Sequence, residues 1–456
     1  MAVIKPGIPK GTRDFLPETM FRRQYVINTI RTIFEKYGYE PLETPSIERL
    51  DILSGKYGDE GDQLIFKILR RGTGIEKAGP GDRAFQVTDV NEVIDFALRY
   101  DLTVPLCRVV AMYQTELTLP FKRYQIQPVW RGERPRMGRY REFYQCDADV
   151  VGTTSMLADA DNIALIHDVL TSLGFDKFAI RINNRKILTG IVEYSGVPET
   201  KGMDVLAAID KLEKISMDGV KQELKNRDIP DAAIQKILPI LEIKGDAFSI
   251  LDDMASVLQI SEKGLEGISE TRELFTLLNE LGLPKHHYAM DLYLARGLNY
   301  YTGPIYESIV AEPNVGSLTG GGRYDQLIGM FLGRDIPATG TSFGIERIID
   351  VMTEMNMLPS KQTAAQALVT IFDETTRAAS LNCAKQLRAA GIKTDLFHQA
   401  SKLKKQFNYA DKKGIPIVVV IGPEEIPKNE VTVKLMKTGE QSQVKTADLV
   451  AFIERI

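Results

Sequence analysis

Cysteine, histidine and tryptophan are all scarce in this chain. Three cysteines, four histidines and one tryptophan are spread over 456 residues. Cys107, Cys146 and Cys383 lie far apart and are odd in number, which argues against a disulfide framework and points to a reduced compartment. No CxxC or HExxH spacing occurs, so no zinc signature is present and no metal site built from side chains is expected. No stretch reaches the ~20 apolar residues of a membrane span. The opening MAVIKPGIPKGTRDF has no apolar signal core. A cytoplasmic chain without membrane association is therefore expected. The net charge is −4, which excludes a global basic field. Any nucleic-acid contact must come from local patches.

What is present is ordinary for a globular chain: 44% hydrophobic and 26% charged residues. The length suggests about three domains. KGTRDFLPE near the start is turn-rich, and a helix is expected over about 18–37, with Val26, Ile30, Ile33 and Tyr37 on one stripe. That stripe suits a core or a subunit interface. The segment 39–48 reads as extended, with Pro41 and Pro45 placing it at a sheet margin. Residues 54–82 read as glycine-rich loops around a strand at 64–69, and RGTGIEKAG lacks the spacing of a P-loop.

The most unusual stretch is FKRYQIQPVWRGERPRMGRYREFYQCDADVVG, residues 121–152. It predicts two strands, 124–133 and about 140–151, joined by a basic turn. Alternation would put Arg131 and Glu133 on one face, and Gln145, Asp147 and Asp149 on one face of the second strand. Such a face is a poor core wall, because buried charge is costly unless paired or holding a ligand. Either it is a solvated charged hairpin, or it binds something anionic that carries an amine. LRYDLTVPL offers the same choice: Asp101 and Thr103, expected on one strand face, are either surface groups or a grip for an ammonium.

Helical patterns with Lys/Glu surfaces dominate from about 185 to 283, and strand patterns return at 286–310 around LARGLNYYTG. Taken alone, this motif reads first as packing for Tyr300 and Tyr301 and as a structural ion pair for Arg296, and only second as a functional site. In SLTGGGRYDQL the three glycines permit close backbone approach beside Arg323 and Tyr324. GTSFGIERIIDVM predicts a strand running into a helix with Arg347 in its first turn, where it can reach an anion. After a polar linker the chain alternates strand and helix, which predicts a small α/β domain with a mainly parallel sheet. Lys402, Lys404, Lys405, Lys412 and Lys413 form either a solvated face or an RNA-backbone contact.

Together these stretches resemble a family. FKRYQIQPVWRGERPRMGRYREF is similar to motif 2 of class II aminoacyl-tRNA synthetases, GTSFGIERI to motif 3, and the helix from Glu18 with the Pro45 segment to the dimer-interface motif 1. Within that class LARGLNYYTG, GGGRYD and LRYDLT resemble the histidyl-tRNA synthetase family. Asn299 departs from the aspartate common there.

The resemblance covers nearly the whole chain. It implies an α+β catalytic domain with a mainly antiparallel sheet (1–185 and 271–352), a helical insertion (186–270), a linker (353–365) and a C-terminal α/β anticodon-binding domain (366–456). It implies activation of L-histidine by ATP, with Mg2+ held mainly through the β- and γ-phosphates, and transfer to histidine tRNA. By the same resemblance, Arg131 and Arg296 are catalytic at the α-phosphate. Arg131, Glu133, Arg139 and Arg347 bind ATP. Histidine is bound by Asp101, Thr103, Arg131, Gln145, Asp149, Arg296, Tyr300, Tyr301 and Tyr324. Arg134 and Arg136 approach the tRNA acceptor end, and a homodimer forms through the 18–48 region. The competing readings are a synthetase-like regulatory subunit of histidine biosynthesis that does not charge tRNA, and a stand-alone amino-acid ligase.

Overall fold

The computed structural model describes residues 4–70, 93–136, 138–212, 215–295, 300–313, 315–360 and 362–456. Arg296 and Asn299 lie outside the described residues. The chain divides into two compact units. One comprises Met1–Arg13 and Val26–Met357, the other Asp14–Tyr25 and Leu358–Ile456.

The larger unit contains strands β1 (Glu40–Pro41), β2 (Ile47–Arg49), β3 (Lys67–Leu69), β4 (Ile94–Leu98), β5 (Phe121–Trp130), β6 (Glu142–Val151), β7 (Ala179–Asn184), β8 (Tyr288–Met290), β9 (Pro304–Ile309), β10 (Thr319–Arg323) and β11 (Ala338–Gly344). Among the described residues, eight strands form one sheet in the order β1-β5-β6-β11-β10-β9-β7-β8. The five pairings from β5 across to β7 are antiparallel, and only the outermost two are parallel. The expected mainly antiparallel sheet is therefore observed. A smaller sheet runs β2-β4-β3.

Alternation divides β6 between two environments. Cys146, Ala148 and Val150 are buried apolar residues, while Gln145, Asp147 and Asp149 line a cavity. The helix Met156–Ser172 lies against β11, with Ile163, Leu165, Ile166 and Val169 buried. Phe34, fully buried, packs its ring against Tyr39, Tyr124 and Phe343 at 5.5–6.3 Å between centroids. Burial of such a side chain contributes roughly 2–3 kcal/mol.

Between β7 and β8 the chain is helical among the described residues, from Arg185–Ser195 through Glu262–Glu280. Asn184, Ser216, Asp246 and Ser261 each cap one of these helices by accepting from a first-turn N–H. Where glycine-rich loops were expected, Gly58–Gln63 forms a short helix. The strand expected at 64–69 begins only at Lys67.

The second unit holds strands β12 (Ala367–Val369), β13 (Thr394–Leu396), β14 (Ile417–Val420), β15 (Glu430–Leu435) and β16 (Gln441–Lys445), ordered β13-β12-β14-β15-β16. The sheet is mixed, not mainly parallel. β12 pairs in parallel with β13 and β14, whereas β15 and β16 continue antiparallel. The reason is local. The turn between β15 and β16 is a tight hairpin at Thr438–Gly439, with Gly439 at φ +78°, and a hairpin can only reverse the chain. All four residues of β14 are buried, as its continuous apolar run implies.

Candidate active site

The β5–β6 hairpin is in register at Arg123↔Asp149, Gln125↔Asp147 and Gln127↔Gln145. On its other side β6 sets Asp149 against Gly340, Asp147 against Ser342 and Gln145 against Gly344. These rows lie on one face, and Gln145, Asp147, Asp149, Gly340, Ser342 and Gly344 floor a cavity of about 500 Å³. Two glycines make the room. A Cβ on Gly340 would fall 1.9 Å from Asp149 Oδ1, and one on Gly321 would fall 2.3 Å from Gly340 O. Any side chain at either position would displace the carboxylate or the neighbouring strand.

One end of the cavity is acidic and aromatic. Asp149 accepts from the Tyr324 hydroxyl and pairs with the fully buried Arg123 at 2.9 Å. Arg123 also donates to Leu102 O and Gln125 Oε1. Asp101 Oδ1 accepts from Tyr57 Oη at 2.9 Å and from the Val104 N–H at 3.1 Å. Tyr300 packs edge-on against Tyr301 and Tyr324, with centroids 5.1 and 5.8 Å apart. Oδ1 of Asp147 and Oδ2 of Asp101, both buried, have no hydrogen-bond partner among the described residues. Burial pushes the carboxyls of Asp101, Asp147 and Asp149 upward, that of Asp147 to about 7. Arg123 opposes the shift at all three, and Asp149 adds to it at Asp147.

The other end is basic. Arg131, Arg139 and Arg347 line both this cavity and a smaller one of about 170 Å³ that includes Glu133, Gly138, Tyr140 and Glu346. Arg131 donates Nε–H to Tyr100 O and lies over the Tyr100 and Phe143 rings. Arg139 pairs with Glu133 at 2.9 Å. Arg347 donates to Ser317 O at 2.7 Å. One cavity thus joins a cluster of carboxylates and phenols to a cluster of guanidiniums, a complement to a cationic amine or imidazole at one end and an oxyanion at the other.

The structure gathers Asp101, Thr103, Arg131, Arg139, Gln145, Asp149, Tyr300, Tyr301, Tyr324 and Arg347 around the larger cavity, and Glu133 at the smaller. Arg134 and Arg136 are exposed on the turn and line neither. Two local expectations are corrected. Strand β5 ends at Trp130, so Arg131 and Glu133 are not ladder residues. The chain turns off at Gly132, whose N–H bonds to Leu64 O at 2.7 Å. Asp101 and Thr103 are not on a strand either. Thr103 opens the helix Thr103–Met112, and Asp101 accepts from that helix's first turn.

Three participants were missed. Asp147 has the same signal as Gln145 and Asp149, since it stands between them on the same alternating face. Arg123 and Glu307 have no signal of their own. Arg123 follows another charge, Lys122, and Glu307 is the charge of β9, so only the register that sets Arg123 against Asp149, and Glu307 against Arg181, gives each a purpose.

The chain matches a family model described as histidyl-tRNA synthetase over residues 11–76 and 70–348, and one described as an anticodon binding domain over 366–456. It belongs to the histidyl-tRNA synthetase family. A relative in this family from Cytophaga hutchinsonii, called histidine–tRNA ligase, is 46% identical over 450 residues, covering 98% of this chain and 99% of its own. One of the same name from Bacteroides fragilis is 44% identical over 456 residues, covering 99% of each chain. The crystal structure of histidyl-tRNA synthetase from Nostoc sp. PCC 7120 superposes with a TM-score of 0.84 at 35% identity, covering 99% of this chain and all of that one. A Bacillus halodurans structure described as an ATP phosphoribosyltransferase regulatory subunit/histidyl-tRNA synthetase has a TM-score of 0.71, covering 89% of this chain and 97% of its own; at 22% identity that likeness concerns the fold.

Proposed function

We propose that this synthetase-family chain is a histidine–tRNA ligase. In the first step a carboxylate oxygen of histidine attacks the α-phosphorus of ATP. The Pα–O bond to the β-phosphate breaks, and pyrophosphate leaves with its electron pair. In the second, a ribose hydroxyl of the tRNA's terminal adenosine attacks the adenylate carbonyl, and AMP leaves. The single observation that carries this reading is the bipolar cavity, with buried Asp149 and Tyr324 beside Tyr301 at one end and Arg131, Arg139 and Arg347 at the other.

In this reading Asp149 and Tyr301 hold the two imidazole nitrogens, with Tyr300 and Tyr324 shaping that pocket. Asp101, Thr103 and Gln145 take the ammonium. Arg131 spans the substrate carboxylate and the α-phosphate, Arg139 and Arg347 clamp the outer phosphates, and Glu133 accepts from the adenine amino group. Arg296 completes the α-phosphate contact. A pocket of buried polar groups rejects analogues that leave those groups unpaired, which makes histidine selection a matter of hydrogen bonding. The chemistry is positioning and charge stabilisation, which suits a site of guanidiniums.

Among the described residues no group of three or more His, Cys, Asp or Glu side chains forms a metal-ligating set. In this reading Mg2+ is held mainly through the ATP β- and γ-phosphates. The tRNA partner is read through the C-terminal unit and approached at its acceptor end by Arg134 and Arg136, and the chain works as a homodimer joined through residues 18–48. No helix of the described residues is long and apolar enough to cross a membrane, which fits a cytoplasmic enzyme. The regulatory reading is less well supported, because Arg131 and Arg347 both line the cavity and a match to an anticodon binding domain is retained.

The test is histidine-dependent ATP–pyrophosphate exchange, followed by charging of unfractionated tRNA. Exchange with histidine and with no other standard amino acid is expected. Absence of exchange, or exchange driven by another amino acid, overturns the reading. Arg296→His is expected to abolish exchange without lowering the melting temperature.

A further inference from the structure

The turn-rich GTRD segment near the start of the chain has no part in the chemistry above, yet it is seated against the nucleotide end of the site. Gly11 O accepts from the Arg141 N–H at 2.9 Å, and Lys10 O from Arg141 Nη1 at 3.4 Å. Gly11 sits at φ +90°, and a Cβ there would fall 2.8 Å from both Arg141 Cγ and Pro135 Cγ. The backbone therefore lies directly on the basic turn between β5 and β6. Two residues on, Arg13 reaches in two directions. Its guanidinium lies 3.2 Å from the centre of the Tyr140 ring, and its Nη2 is 2.6 Å from Glu346 Oε2, a carboxylate 7% exposed at the side chain. Tyr140 and Glu346 both line the smaller cavity, and neither lines the larger one. Glu346 immediately precedes Arg347 in the first turn of the helix Ile345–Glu354.

We propose that Arg13 is a positioning residue for ATP. It ties the first turn of the helix 345–354, through Glu346, to the turn carrying Arg139, through Tyr140. Arg139 and Arg347 are thereby kept on opposite walls of one nucleotide cavity. A planar, permanently charged guanidinium suits both grips, stacking on the ring while donating to the carboxylate. Without it each arginine still exists, but the ion pair and the ring contact that tie the two elements bearing them are lost. Because Tyr140 and Glu346, the two groups it grips, line the smaller cavity and not the larger, its removal should act on the nucleotide and spare histidine.

The inference rests on the ligase reading, so the wild-type chain is first shown to catalyse histidine-dependent exchange. Failure at that stage sinks the ligase reading, and the variants then test only the brace. Arg13→Gln in the full-length chain is expected to raise KM for ATP about tenfold, the size of one charge-assisted contact. KM for histidine should stay within about twofold. Arg13→Lys keeps a cation for Glu346 and should recover at least half of that loss on a logarithmic scale. Glu346→Gln in the Arg13→Gln background should add little further, since the shared contact is already gone. Unchanged ATP kinetics in Arg13→Gln, an equal rise in both KM values, or full additivity with Glu346→Gln would each overturn the proposal. If Arg13→Gln does not fold, the lysine variant and the Glu346→Gln single variant carry the same comparison.

Discussion

Asp147 stands 2% exposed between two proposed histidine contacts, with one carboxylate oxygen unpartnered among the described residues and its carboxyl pushed to about 7 by burial. In the free enzyme it is therefore largely protonated below about 7 and ionised above it. If it takes a hydrogen bond from cationic histidine, affinity rises with pH through that value, because the ionised form is the better acceptor. The prediction is that KM for histidine falls between pH 6 and pH 8, and that Asp147→Asn flattens this dependence. A profile identical in the variant would remove Asp147 from recognition. Asp149→Asn is expected to weaken histidine binding by more than tenfold while KM for ATP changes little, measured by exchange at varied concentrations of each. Arg123 is a different kind of residue. Fully buried beneath Asp149, it offsets the cost of three neighbouring carboxylates, and its loss would leave them uncompensated.

Two elements show how polar groups beyond the cavity hold the frame. Arg323 lies in the glycine-rich strand β10, one residue before the cavity-lining Tyr324, and points the opposite way. It donates Nε–H to Asp159 at 3.1 Å and also bonds to Thr153 O and Ser155 O, which ties β10 to the start of the helix 156–172. With Arg323 2% and Asp159 0% exposed at the side chain, Arg323→Met strands a buried charge. A loss of about 3–5 kcal/mol in unfolding free energy is expected by denaturant titration. At the far edge, His167 Nε2 and His287 Nδ1 share a hydrogen bond of 3.1 Å, and His287 Nε2 lies 3.3 Å from Asp176 O. Burial, with neighbouring His286 and His167 also contributing, lowers the His287 pKa below its ordinary 6.5. The folded state then binds fewer protons than the unfolded one just below pH 6.5, so stability is full above that value and falls as pH drops through it. Protonation of the raised carboxyls of Asp101, Asp147 and Asp149 acts the other way in this range, so the imidazole is isolated by difference: between pH 7.5 and 5.5 the melting temperature of wild type should fall relative to that of His287→Gln.

At the scale of the whole molecule, the proposed function assigns activation and tRNA recognition to different parts of the chain. The helix Leu403–Lys413 of the second unit leaves Lys404, Lys405, Lys412 and Lys413 exposed in a chain of net negative charge. Lys404→Glu with Lys405→Glu is expected to raise KM for tRNA several-fold and to reduce the salt dependence of charging, leaving exchange unaltered. Equal charging by the variant and the wild type would turn that face back into an ordinary solvated surface.

Much of this was legible in residue order. Alternation through Gln145, Asp147 and Asp149, the strand running into the helix at Gly344, and the buried stripe Ile345, Ile348, Ile349 and Met352 all follow from local periodicity, which the chain carries whatever its neighbours are. So does the helical character of the segment between β7 and β8. What local order could not decide was where strands stop and which charges meet. β5 ends at Trp130 because Gly132 is captured by Leu64, 68 positions earlier. Asp101 turns inward because Tyr57 and a helix start receive it. The hairpin's charge became a site only when register set Arg123 against Asp149 and Gly340 left room for the Asp149 carboxylate. Periodicity is a property of a segment. Pairing across long loops, and the desolvation that makes a buried carboxylate seek a partner, exist only once the segments are brought together.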